Sequence, residues 1–182
     1  ADKWGLANWM AAAVADEADA DVGFYHIGGV RLDSIPAGGV SAAKVYGLEP
    51  FGTLVARMEM TPAQMRRMIV SKYNDPVNAK EAHRIDLIST TPYVIVTDAA
   101  DNALDVQFPK LREGRKYKVA VSDYIYRNYK DMEYTGGEIT VEKVARQPCC
   151  WAIQPPRAMA RIMPMCGPIM NRLMAIERRS LG

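Results

Sequence analysis

Along the first 145 residues, apolar positions switch repeatedly between helical and strand spacing. Leu6, Trp9, Met10, Ala13 and Val14 predict a helix over residues 5–18. The acidic run Asp16, Glu17, Asp19 and Asp21 closes it and reads as a solvated helix end rather than a metal site. Val22 to His26 is a short apolar run that meets Gly28-Gly29, which predicts a strand entering a tight loop. Residues 53–60 alternate as a strand does, and Thr61-Pro62-Ala63-Gln64 then opens a helix. Thr61 can cap it, Pro62 fits its first turn, and Gln64 can reach back to the cap N–H. Met65, Met68, Ile69 and Tyr73 form its apolar stripe, with Arg66 and Arg67 facing away. Residues 85–88, 93–97, 104–108 and 117–126 read as strands, and residues 139–144 as a strand or short helix. Such interleaving predicts an α/β or α+β fold, with mixed sheets and helices packed outside.

Two local motifs carry less than they first offer. Ser41-Ala42-Ala43-Lys44 has the Ser-x-x-Lys form of penicillin-recognising enzymes, but no Lys-Thr-Gly follows. Ser41 reads better as the N-cap of a short helix. Asp98, Asp101, Asn102 and Asp105 lack the spacing and closing Glu of an EF-hand, so they read as a polar hairpin turn.

Composition divides the chain. Apolar residues make up 49% and charged residues 24% of 182, which is ordinary globular usage. No run of about 20 apolar residues offers a membrane-spanning helix. Ala1-Asp2-Lys3-Trp4 has no signal-peptide pattern, although a mature fragment would have lost one. The formal charge of +2 hides a split. Residues 146–182 hold six Arg, no Lys and one acid, Glu177, leaving residues 1–145 with 17 basic and 20 acidic groups. A mildly acidic body is not a nucleic-acid binder by charge. Cys149, Cys150 and Cys166 all fall in the tail, so the body needs no disulfide or thiolate metal cluster. The tail is also rich in Pro and Met, and Pro164, Gly167 and Pro168 break its helical spacing. This break predicts a domain over residues 1–145 and an atypical tail over 146–182 that is not part of it.

Four segments, in order, resemble the C-terminal domain of the 5'-nucleotidase family. They are Gly5-Leu6-Ala7-Asn8-Trp9, Tyr25-His26-Ile27-Gly28-Gly29-Val30-Arg31, Leu48-Glu49-Pro50-Phe51-Gly52 with Met60-Thr61, and Tyr117 to Tyr124. The resemblance implies a domain that grips the nucleoside part of a substrate, with Phe51 and Tyr124 sandwiching the base. Without it, both rings would read as core. It implies that Arg31, after Gly28 and Gly29, aims its guanidinium at ligand oxygens. His26 stands where the family has Asn, and suits a polar ligand contact and a structural role alike. The family's Gly-Gly-Asp-Gly is absent, and Asp131 could replace its Asp only from a shifted loop.

No catalytic residue is expected here. The family's metal centre needs several His and carboxylate ligands, and this chain has two histidines, His26 and His83, in neither metal motif. The resemblance therefore implies that zinc, manganese or similar ions belong to an N-terminal metallophosphoesterase domain outside this chain. Its other implied partner is a nucleotide or nucleoside, and its implied location is periplasmic or extracellular. Two alternatives stay open: a related hydrolase domain with a non-nucleotide substrate, and a non-catalytic interaction module.

Overall fold

The structure is a computed structural model that describes residues 1–76, Lys80, residues 86–129 and a last strand, Val141–Ala145. Helix α1 spans Lys3–Glu17 and leads into β1, Val22–His26, which ends in a 3-10 turn over Ile27–Gly29. Then come α2 (Ala42–Leu48), β2 (Val55–Met60), α3 (Pro62–Tyr73) and the short β3 (Leu87–Ser89). A hairpin of β4 (Val94–Thr97) and β5 (Ala103–Gln107) precedes β6 (Tyr117–Ser122), α4 (Asp123–Tyr129) and β7 (Val141–Ala145).

Five strands form one mixed sheet in the order β3-β1-β6-β2-β7. The β1/β6 pair is parallel, whereas β1/β3, β2/β6 and β2/β7 are antiparallel. Strand alternation sends side chains to opposite faces. Val22, Phe24, Met58, Met60, Val119 and Val121 join the core that includes Met65, Met68 and Ile69 of α3. Tyr25, Val55 and Ala120 join the other core, with Leu6, Met10 and Val14 of α1. The sheet is thus a middle layer with a helix on each face, as the mixed spacing predicted.

Helix α1 sits unusually close to the sheet. A Cβ added at Gly23 would lie 2.2 Å from the Ala11 carbonyl oxygen and 2.8 Å from the Ala15 Cβ. Glycine on the strand and alanines on the helix make that approach possible. The start of α3 follows the sequence expectation. Gln64 N–H donates to Thr61 Oγ1 at 3.4 Å, and Thr61 N–H donates to Gln64 Oε1 at 2.8 Å. Ser41 likewise caps α2, accepting from Lys44 N–H at 3.3 Å. At the hairpin tip, Asp98 Oδ1 accepts from the N–H groups of Ala100 and Asn102, so these acids form a turn.

Two expectations need correction. The apolar run 117–126 is not one strand, because β6 stops at Ser122 and α4 begins at Asp123. Ser122 Oγ accepts from Ile125 N–H at 3.2 Å, an N-cap bond that turns the chain despite its β-forming residues. The second concerns Gly28-Gly29. Neither glycine has the positive φ of a tight loop. Their place is the 3-10 turn, and Gly29 is there for space: a Cβ would meet the His26 ring at 2.6 and 2.7 Å.

Candidate functional site

Phe51 is held by its own neighbours. Glu49 Oε1 accepts from Phe51 N–H at 3.2 Å and from Thr53 Oγ1 at 2.7 Å. Gly52 has φ +62°, a left-handed conformation that glycine adopts without penalty. The resulting turn pushes the Phe51 ring outward, where it is 61% exposed. The Arg31 guanidinium carbon lies 5.8 Å from the ring centroid, within cation–π range. Arg31 N–H donates to the Leu48 carbonyl at 3.0 Å, which fixes the Arg31 segment beside α2 and the Phe51 turn.

Tyr124 arrives by a different route. It is the second residue of α4 and is 47% exposed. Its ring stacks on His26 with centroids 4.3 Å apart and planes 20° apart. His26 in turn stacks on Tyr25 at 5.2 Å and 27°. Tyr25 is fully buried, and His26 is 9% exposed. One outer ring therefore rests on two inner ones.

The two walls are joined across the fold. Leu54 N–H donates to Asp123 Oδ1 at 3.1 Å, and Asp123 N–H donates to the Leu54 carbonyl at 2.8 Å. Phe51 is three residues from Leu54, so their Cα atoms are at most about 11 Å apart. Tyr124 is the next residue after Asp123. Both rings thus stand on segments joined by these two bonds, and both are exposed.

Behind this edge lies a charged pair. Asp86 is buried, and its Oδ2 is 3.6 Å from Lys72 Nζ. Asp86 Oδ1 accepts from Gly28 N–H at 3.5 Å, and its carbonyl accepts from Ile27 N–H at 2.8 Å. Burial pushes the His26 pKa down from 6.5 to about 4; the Asp86 carboxylate opposes this and the Lys72 ammonium adds to it. His26 Nδ1 is buried without a hydrogen-bond partner.

The structure thus assembles His26, Gly28, Gly29, Arg31, Phe51 and Tyr124 in one neighbourhood, while Asp131 lies outside the described residues. At the N-terminus, Asp2 caps α1 by accepting from Gly5 N–H at 2.8 Å, and Lys3 pairs with Asp33 at 3.6 Å. Sequence reading missed Glu49, Asp86, Lys72 and Asp123. Glu49 and Asp123 lie inside the quoted motifs, where they read as turn-forming carboxylates only once the fold is known. Nothing local marks Lys72 or Asp86. Among the described residues, no group of three or more His, Cys, Asp or Glu is placed to hold a metal ion. No described helix is long and apolar enough to cross a membrane.

Comparison with known proteins adds a family and a fold. The family model for the 5'-nucleotidase C-terminal domain matches residues 2–135. No curated protein matches the chain. A 5'-nucleotidase precursor from Thermus thermophilus superposes with a TM-score of 0.57 at 19% identity, over 75% of this chain and 29% of that one. The NAD nucleotidase of Haemophilus influenzae gives 0.54 at 15%, over 71% of this chain and 25% of that one. A Staphylococcus aureus protein described as a 5'-nucleotidase, in complex with alpha-ketoglutarate, gives 0.53 at 17%, over 78% and 31%. This chain therefore spans about a third or less of each of these proteins.

Proposed function

Since the chain belongs to the 5'-nucleotidase family as its C-terminal domain, we propose that it is the part of a phosphohydrolase that grips a nucleoside or nucleotide. Phe51 and Tyr124 stack the base, and Arg31 engages sugar or phosphate oxygens. The hydrolytic step would belong to an N-terminal metallophosphoesterase domain, whose divalent ions would supply an activated water. An exported location goes with this reading.

One observation carries it. Two large aromatic rings stand exposed on segments tied together through Leu54 and Asp123. Exposed rings are ordinarily a loss for a lone domain, since each leaves apolar area in water. Every base has a π-face, and stacking on an aromatic side chain contributes about 1–3 kcal/mol per base. A guanidinium beside one ring supplies the charge a phosphate requires.

Calorimetric titration of the full chain with adenosine and AMP tests this. Micromolar to millimolar binding is expected, falling at least tenfold in Phe51→Ala and in Tyr124→Ala. Binding that survives both substitutions would sink the clamp. The missing Gly-Gly-Asp-Gly favours a second reading, a flat ligand that is not a nucleotide. Loss of AMP binding with retained binding of aromatic heterocycles would select it.

A further inference from the structure

Resting on that reading, we infer that Tyr25 is a positioning residue for the Phe51 wall. Its hydroxyl is held one hydrogen bond short of Thr53 and makes that bond when the wall settles on a ligand. The observation behind it is a polar group buried without a partner. Tyr25 is fully buried, and among the described residues its hydroxyl has no hydrogen-bond partner. A buried hydroxyl left unpaired costs free energy, so a folded chain that keeps one does so for a reason.

Its surroundings supply the reason. Tyr25 packs in the same core as Leu48 and Val55, the residues on either side of the Phe51 turn. Thr53 lies beside the phenol hydroxyl but outside bonding geometry. Burial first, and then the nearby charges of Glu49 and Asp123, hold the phenol pKa far above its ordinary value, so Tyr25 keeps its proton and can donate it. Thr53 is itself buried and donates to Glu49 Oε1 at 2.7 Å, and the same oxygen accepts from Phe51 N–H at 3.2 Å. The Thr53 oxygen therefore has no proton left to give and lone pairs still to offer. Donors and acceptors match along one line, from Tyr25 through Thr53 and Glu49 to the Phe51 backbone. Its first link alone is open.

The wall can close that link. Phe51 is exposed on a turn held by bonds to its own neighbours, so a base pressed onto its ring moves the Glu49–Thr53 segment against β1 and leaves the sheet in place. A bond made only in the occupied state adds to ligand affinity and nothing to the resting fold. A merely structural hydroxyl would do the reverse.

The experiment sets urea unfolding beside adenosine titration of the full chain, for Tyr25→Phe, Thr53→Val and the double variant. Tyr25→Phe keeps the ring against His26 and removes the hydroxyl alone. Its resting stability should equal or exceed that of wild type, because an unpaired buried hydroxyl has gone. Its adenosine affinity should fall about fivefold, the size of one net hydrogen bond. Lower stability would mean that the bond already exists in the resting chain, and unchanged affinity that it never forms; either overturns the inference.

Thr53→Val should weaken adenosine at least as much, and adding Tyr25→Phe to it should cost nothing further. Full additivity of the two losses would show that the hydroxyls act apart, against the inference. In NMR, saturating adenosine should move the Tyr25 ring signals of wild type and leave those of Thr53→Val in place; equal movement in both would count against it too. If the wild-type chain binds no adenosine, the functional reading fails and the inference with it. Binding that is intact in every variant leaves the reading standing and removes the inference alone.

Discussion

The two aromatic walls are built on opposite plans. Phe51 stands on a turn made by its immediate neighbours, Glu49, Gly52 and Thr53, with Arg31 over its ring. Tyr124 stands on a helix start, and its support is a stack of two inner rings from β1. The first wall depends on local backbone geometry and the second on long-range packing. A local wall can be weakened without disturbing the core, whereas a packed wall fails together with the sheet beneath it.

The strongest way to break the comparison is Gly29→Val. Gly29 has no positive φ, so the backbone accepts the change, and the collisions with the His26 ring at 2.6 Å and the Tyr25 ring at 3.1 Å decide the outcome. The His26 ring is wedged between Tyr25 and Tyr124 and has nowhere to go. Overpacking of this kind costs about 3 kcal/mol. Urea unfolding should show that loss, and nucleoside titration should show the Tyr124 wall gone.

Acid should act on the same wall. His26 has a folded pKa of about 4 against an ordinary 6.5, so the unfolded chain binds its proton first as pH falls. The His26 contribution is therefore complete above pH 6.5, shrinks on acidification, and levels off below about pH 4. The full swing is on the order of 3 kcal/mol. Unfolding free energies at pH 7 and pH 4.5, wild type against His26→Phe, should show a larger acid loss in wild type. Equal losses would mean that burial of the imidazole does not control the titration.

Gly52→Ala tests the local wall and should do the least. Forcing alanine into a left-handed turn costs roughly 1 kcal/mol. The melting temperature should drop by about 3 °C. Nucleoside affinity should fall about threefold, and the Tyr124 ring signals should stay put. Movement of those signals would show that the two walls are less separate than their construction implies.

This difference also explains what could be read in advance. The α3 start was legible because Thr61 and Gln64 are three residues apart and complete their bonds within one turn. Phe51 was legible only through the family resemblance, because from the residues alone its ring read as core. The helical start at Asp123 was not, because a run of Val and Tyr outweighed the Ser122 cap. His26 was ambiguous because its ring partner Tyr124 lies far along the chain and is brought near it by the parallel β1/β6 pairing and the Leu54–Asp123 bonds. Lys72 and Asp86 belong to the same class of residue, whose purpose exists only in three dimensions.

The reciprocal bonds between Leu54 and Asp123 span 69 positions of sequence. During synthesis, an emerging polypeptide therefore owns its first aromatic platform long before the opposing one can dock. On the proposed reading, a nucleoside would meet only half a grip until β6 has zipped into place. Capture of a small molecule then doubles as a readout of completed folding, and a saturating ligand would shield the whole unit from proteolysis, not merely the edge that it covers.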